Sequence, residues 1–467
     1  MSFSEGPFLV FFLITYFIFT ALRNRHQAQI YWLLGASLFC YGYLQPRDLY
    51  YLLSTAFLSY FTPILLSRMA NKVSKRILLS LSILAILGPL LYFKYWPLIQ
   101  ATVAVFPNIQ NVENVFSISN LPLGISFFTF QALSYLIDCY WGRTEMCRSA
   151  SSYFLYLTFF PQLVAGPIER MEKILPQIPG NFSKPANYQG GFLIFYGLTK
   201  KIIFADYLGS QWVDPVFANP SGHSHSDLLL AIYAYAGQIF LDFSAYSDMA
   251  VGIARFFSIE LTENFSSPYK SSNPSDFWRR WHITLSTWFR DYVYIPLGGN
   301  RGKTLALRLA TIFATMFLCG LWHGANWTFI VWGLYHGLLL MMYRIPYRNK
   351  FLMSLPDVVK QFSFFQLIVL GWIFFRAQSL NGAFDFIAQF LQFEDSNLGS
   401  LSLVLLGTFL SWSLLNYFED QRYRFAERFS KCPVFLQVFV WIFGLMILYY
   451  IKGYQGGGDR AFIYFQF

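Results

Sequence analysis

The sequence predicts an all-α, polytopic membrane protein, and three observations carry that prediction. Of 467 residues, 55% are hydrophobic and only 12% are charged, with a mean hydropathy of +0.42. A soluble domain carries about 25% charged residues. Apolar runs close to the roughly 20 residues that cross a bilayer as a helix recur along the whole length. Lys and Arg, which give a net charge of +10, fall mostly in the short stretches between those runs, where basic residues set orientation. No RNA- or DNA-binding motif accompanies them, so the basic balance reads as topology and nucleic acid is not an expected partner.

Taken in order, the expected spans are 7–22, 28–44, 48–67, 77–97, 121–141, 152–168, 190–210, 227–255, 305–321, 325–343, 361–378, 401–418 and 434–451. The first begins at Pro7 without a basic n-region or a small-residue cleavage site, which reads as a span rather than a cleaved signal. Several spans are short or interrupted, so about eleven full crossings plus re-entrant or interfacial pieces are expected. The chain reads as one membrane-embedded domain, 1–467, with no internal repeat.

Loop charges assign sides. Arg23 and Arg25 mark the first loop, and Arg68, Lys72, Lys75 and Arg76 the third. The loop at 98–120 has no Lys or Arg, and the next carries Arg143 and Arg148. From the other end, Arg344, Arg348 and Lys350 read as inside, as do Arg422, Arg424, Arg428 and Lys431. Both termini are then expected on the outer side of a cytoplasmic membrane. The middle, 160–305, is less regular, with Pro161, Pro167, Pro176 and Pro179 and charged residues inside apolar helices. Broken helices occur at membrane depth where backbone lines a cavity or is buried in protein. Cys40, Cys139 and Cys319 lie in apolar spans, Cys147 and Cys432 in basic loops, and no pair has motif spacing. Neither a disulfide framework nor a metal site is expected.

The stretch "LCGLWHGANW", 318–327, lies within residues 309–343, which contain no Asp, Glu, Lys or Arg. Gly320 and Gly324 are expected to supply a turn between two spans, with His323 at or below its outward tip. An imidazole titrates near neutrality and can take a proton from a hydroxyl. An intramembrane histidine can equally hold a neighbouring helix in place, although polar groups at that depth are commonly functional.

In "SDFWRRWHITLSTWFRDYVYIPLGGNR", 275–301, Ser275 is positioned to cap a helix starting at Asp276. Helical spacing puts Arg279, His282, Ser286 and Arg290 on one face and Trp278, Trp281, Leu285 and Trp288 on another. The guanidiniums suit phosphate groups. The same pattern fits an interfacial helix whose arginines snorkel to lipid headgroups.

"GQIFLDFSAYSDMAVG", 237–252, places Asp242 and Asp248 in an apolar stretch. Six residues apart, they face different directions on a helix, which argues against a paired-carboxylate site. They are expected to form buried salt bridges with Arg279, Arg280 or Arg290, or to orient a histidine. His223, His225 and Asp227 read as a solvated loop, His336 as a packed core histidine, and 163–178 as a membrane-edge turn. The chain has no G-x-S-x-G elbow, P-loop or dinucleotide fingerprint.

Five stretches together are similar to the bacterial branch of the membrane-bound O-acyltransferases that acetylate alginate, peptidoglycan and cellulose. They are "FFPQLVAGPIER" (159–170), "FLDFSAYSDMAVGIA" (240–254), "DFWRRWHITLSTWFRDYVYIPLGGNR" (276–301), "GLWHGANWTFIVWGLYHG" (320–337) and the terminal "FIYFQF" (462–467). The resemblance is dense over 120–340. It implies a helical fold around a central tunnel, with His323 of the W-H-G motif as the catalytic residue and His282 as the second functional histidine.

It further implies acyl transfer across the membrane. No bound cofactor is expected; acetyl-CoA is the expected donor substrate, entering from the inside near helix 276–290, Arg301 and Lys303. His323 would act as general base on an acceptor hydroxyl from outside, or as a nucleophile through an acetyl-histidine. Trp322 and Trp327 would wall the pocket, and Asn326 would serve as an oxyanion donor. The expected partner is a separate periplasmic or extracellular transferase of the SGNH-hydrolase type. Two alternatives stand: D-alanyl transfer from a carrier protein, and a transporter of acyl donor or glycan without chemistry.

Overall fold

A computed structural model of the chain describes residues 1–43, 45–103, 121–178, 189–302, 304–344, 354–392, 398–454 and 460–463. Most of the loop at 98–120 falls outside these residues, as do Pro179, Lys303, Arg348, Lys350 and the last four residues of "FIYFQF". Among the described residues every regular element is helical, as apolar runs placed in a bilayer core that offers their backbone no water require.

The helices follow the apolar runs closely. Gly6–Ala21, His26–Gly42, Asp48–Arg68, Lys72–Leu90 and Ile125–Trp141 cover the first five expected spans. His225–Phe256, Leu305–His323, Trp327–Arg344, Asp357–Arg376, Leu398–Ser430 and Val434–Tyr454 cover the later ones. Seven described helices are long and apolar enough to cross a membrane, against the eleven crossings expected. Two expected spans are interrupted. The 152–168 segment is split into Ala150–Thr158 and Phe160–Leu163, and Pro161 accounts for the break. The 190–210 segment is an α-helix, Gln189–Thr199, continued by the π-turn Lys200–Ala205, a form that often marks function.

The chain divides into two compact units, Met1–Ile194 with Met249–Thr262, and Phe195–Asp248 with Glu263–Phe467. In the first, Tyr41, Leu52, Leu90, Phe93, Ile125, Phe128 and Leu163 form a buried cluster. The "membrane-edge turn" at 163–178 is anchored there: Glu169 is buried and accepts from the Thr262 hydroxyl at 2.8 Å and from the Thr262 N–H. The second unit holds every candidate site residue. The five cysteines are free. His225 does not sit in a solvated loop; it opens the His225–Phe256 helix and is buried with its ring 6.4 Å from Phe390.

Candidate active site

Two glycines set the position of His323. The Leu305–His323 helix begins where the Thr304 hydroxyl accepts the Leu307 N–H at 3.2 Å, and it ends on His323 itself. The chain then extends through Gly324, where a Cβ would lie 2.2 Å from the Phe329 ring. Gly320 does not form part of this turn. It lies inside the helix, where a Cβ would meet the Phe329 carbonyl oxygen at 2.4 Å and Gly333 Cα at 3.1 Å. Gly320 and Gly333 therefore let two helices cross at backbone contact, as small residues do in membranes.

His323 is buried, its ring 4.9 Å from Trp322, 4.9 Å from Trp332 and 5.1 Å from Phe375. His282 is fully buried as well, 4.7 Å from Phe243 and 5.9 Å from Trp322. One indole, Trp322, thus lies against both imidazoles. Trp281 is buried and 5.0 Å from Trp372, while Trp278 packs 5.9 Å from Trp332. Trp327 is half-exposed.

The expected continuous helix over 276–290 is broken. Pro274–Arg280 and Ile283–Phe289 are separate helices, joined through His282 at φ 40°, ψ 58°. Asn273, not Ser275, caps the first, accepting the Asp276 N–H at 2.9 Å. Asn264 supports the break: its carbonyl accepts the Ile283 N–H at 2.9 Å and its side-chain oxygen accepts the Thr284 hydroxyl at 2.6 Å. A left-handed residue reverses the facing of all that follows, so His282 leaves the polar stripe and joins the aromatic cluster. Arg279 and Arg290 remain exposed, Arg290 paired with Asp291 at 2.8 Å, and Arg280 pairs with Asp276 at 3.1 Å. The Ser286 hydroxyl donates to the Trp281 carbonyl at 3.0 Å. Burial alone pushes the His282 imidazole down to about 3, so it is neutral at neutral pH.

Asp242 and Asp248 are buried, but not with the arginines expected. Asp248 takes Lys200 at 2.5 Å, and Lys200 also reaches Glu419 at 3.0 Å; Arg422 closes the group, 3.0 Å from Glu419 and 3.6 Å from Asp248. Asp242 takes Lys201 at 2.6 Å, and Lys201 reaches Asp206 at 2.8 Å. Arg279, Arg280 and Arg290 find partners within their own helices or remain exposed, so the carboxylates draw on lysines of the π-turn instead. Asp242 also accepts the Ile463 N–H at 2.7 Å, and Arg460 pairs with Asp214 at 2.9 Å, which fixes residues 460–463. Lys201, Asp206, Asp214, Asp242 and Arg460 border a polar cavity of about 710 Å³ that also meets Arg376 and Gln378. Sequence reasoning passed over Lys200, Lys201 and Glu419 and read Arg422 as a loop charge, whereas it is buried within the Leu398–Ser430 helix; the signal was the pair Lys200-Lys201 inside an expected span, because buried charges require partners.

Asn326 is committed structurally. Its amide nitrogen donates to the Gln378 carbonyl at 2.8 Å and its oxygen accepts the Thr328 N–H at 3.1 Å, capping the helix that follows. To serve an oxyanion it would have to release Gln378. Among the described residues no group of three or more His, Cys, Asp or Glu side chains is arranged to hold a metal.

Comparison with known proteins gives this geometry a family context. The family described as MBOAT, membrane-bound O-acyltransferase family, matches residues 147–381, which include both histidines. The chain is 35% identical over 406 residues to "Peptidoglycan O-acetyltransferase" of Helicobacter pylori, covering 80% of this chain and 76% of that one. It is 37% identical over 325 residues to "Probable alginate O-acetylase AlgI" of Pseudomonas aeruginosa, covering 67% and 61%. That second match spans less than two thirds of the relative's length. "Teichoic acid D-alanyltransferase" of Bacillus subtilis is 30% identical over 275 residues, covering 56% and 67%.

Proposed function

Because the chain belongs to the membrane-bound O-acyltransferase family and is an O-acyltransferase, we propose that it carries an acetyl group from a cytoplasmic thioester, acetyl-CoA, to an acceptor hydroxyl arriving from outside. The acceptor belongs to a separate periplasmic or extracellular transferase, which then O-acetylates a cell-envelope or secreted polysaccharide. The observation that carries this reading is the placement of His323. It is buried at the end of one apolar helix, and His282 lies against the same indole, Trp322.

In this reaction His323 takes the proton from the acceptor hydroxyl. The freed oxygen attacks the thioester carbonyl, the C–S bond breaks, and the departing sulfur leaves as the thiol once it regains a proton. Trp322, Trp332 and Phe375 exclude water, which protects the thioester from hydrolysis and strengthens each polar contact inside. The acyl group crosses without the whole donor crossing. The lower identity to the D-alanyl transfer protein supports acetyl over D-alanyl as the cargo.

The test is to delete the partner transferase in cells. Polymer acetylation is expected to vanish, and CoA release from acetyl-CoA by the membranes is expected to fall with it and to recover when the purified partner is added back. Survival of polymer acetylation would overturn the relay. Retained transport by His323→Ala with no CoA release from the wild type would establish the transporter alternative.

A further inference from the structure

The polar cavity of about 710 Å³ has room for a ligand, since small-molecule sites enclose about 300–1,000 Å³. Its lining residues all belong to the second unit. Gln378, on its wall, accepts from the Asn326 amide at 2.8 Å. The cavity therefore lies near the end of the Leu305–His323 helix, on the side that the loop charges assign to the outside. No step of the acyl transfer described above uses it.

Its charges are already matched. Lys201 pairs with Asp242 at 2.6 Å and with Asp206 at 2.8 Å. Arg376 and Arg460 share Asp214, at 2.7 Å and 2.9 Å. The surplus is one carboxylate, Asp385, which is exposed and forms no ion pair among the described residues. An anionic ligand would find no uncommitted cation here and would meet that carboxylate. Two uncharged groups, by contrast, are not matched. Tyr235 is 1% exposed, and its hydroxyl has no hydrogen-bonding partner among the described residues. The side-chain oxygen of Gln238, three residues on along the same helix, has none either. Both residues line the cavity. An unpaired buried polar group costs about 1–3 kcal/mol, and phenylalanine at 235 would avoid that cost in a site with nothing to bind.

What the cavity offers a ligand is therefore uncharged hydrogen bonding, spread over a distance. Tyr235 and Asp242 are seven residues apart on one helix, about 10 Å along its axis, and Ser379 stands on a separate segment. A ligand that uses these groups together must carry several hydroxyls, each able to donate and to accept. Phe217, Ala218, Pro220 and Ala377 add apolar surface, which suits the C–H faces of a sugar ring. A serine or threonine on a protein loop would bring a single hydroxyl.

We propose that this cavity binds one or two uncharged pyranose units of the polysaccharide, through the Tyr235 hydroxyl and the Gln238 side-chain oxygen, and holds the polymer at the outer face beside the partner transferase. The bound sugar is not the acetyl acceptor of this protein; that remains the partner's hydroxyl. The inference rests on the polysaccharide reading given above and adds a substrate class to it: neutral or N-acetylated sugars, not a uronate polymer.

The experiment uses the purified full-length protein in lipid nanodiscs, where no sugar-headed detergent competes. Binding of cellotetraose, N-acetylated chitotetraose and tetramannuronate is titrated by saturation-transfer NMR, and a thermal melt accompanies each variant. The wild type is expected to bind at least one of the two neutral oligosaccharides saturably, and tetramannuronate at least tenfold more weakly. Tyr235→Phe is expected to weaken binding of the neutral ligand about tenfold, which is about 1.4 kcal/mol, while melting at or above the wild-type temperature because the hydroxyl it loses is unpaired within the protein. Ala218→Trp, at an exposed lining position, is expected to fill the cavity and abolish binding.

No binding of either neutral ligand by the wild type overturns the proposal. So does equal or tighter binding of tetramannuronate, or unchanged binding in both variants. CoA release from acetyl-CoA, with the partner present, is read on the same preparation. Release without sugar binding leaves the acyl-transfer reading standing and removes the sugar site. Sugar binding without release removes the acetyl-CoA reading and leaves the sugar site.

Discussion

Replacing Gly320 with alanine tests whether the glycine crossing places His323. A Cβ at Gly320 would lie 2.4 Å from the Phe329 carbonyl oxygen, where ordinary contact begins at 3.4 Å. The two helices must therefore part by about 1.0 Å at this level, the difference between those two distances. Gly320 is one turn before His323 on the same helix, so the imidazole moves with it. Overpacking of this kind costs about 1–3 kcal/mol in stability. A misplacement of about 1 Å at a reacting group costs about 100-fold in rate. The expected outcome is a Gly320→Ala variant that folds, melts lower, and releases CoA about 100-fold more slowly at saturating donor. The assay pairs thiol release with a thermal melt in detergent. Wild-type turnover from a folded Gly320→Ala variant would refute the crossing as the device that places His323. Gly333→Ala, whose Cβ would meet the Met316 carbonyl oxygen at 2.4 Å, should behave alike.

Asp248→Ala leaves Lys200 and Arg422 short of a buried counter-charge and should cost about 3–5 kcal/mol, with Asp248→Asn less severe; a denaturant titration showing a loss below about 1 kcal/mol would contradict that network's role. His282 is neutral in the fold, with its pKa depressed to about 3, whereas in the unfolded chain it binds a proton below about 6.5. Its contribution to stability is therefore present above pH 6.5 and lost as pH falls toward 3. This makes the protein about 2 kcal/mol less stable at pH 5 than at pH 8 from this group alone, and the pH dependence should flatten in His282→Phe. Asn326→Ala removes a helix cap and the Gln378 strap and should cost about 1 kcal/mol in thermal stability. A hundredfold loss of turnover at unchanged stability would instead return Asn326 to the chemistry.

Much of this fold is written in hydropathy, because burial in lipid demands long uncharged runs and helices satisfy the backbone within themselves. That is why the helix from Leu305 and the helix from Trp327 match their runs, and why His323 stood out in a segment without charge. Other features depend on the backbone conformation of one residue or on partners far away in sequence. The left-handed turn at His282 leaves no periodic trace, so Arg279, His282, Ser286 and Arg290 looked like one face of one helix. Asn264, which supports that turn, lies 18 positions upstream of His282. Asp248 finds Lys200 and Arg422 across separations that no local pattern encodes. Gly320 shows the same limit in reverse. Its residue type suggested a turn, and only the neighbouring helix reveals that the missing side chain is needed for contact.

The central claim is that His323 performs the chemistry. CoA release from acetyl-CoA should be measured with purified wild-type protein and with His323→Ala, in detergent, with and without the partner transferase. The account predicts release by the wild type and its loss in a mutant that melts at the wild-type temperature. Equal release by both would contradict it and move the chemistry to another residue, His282 first.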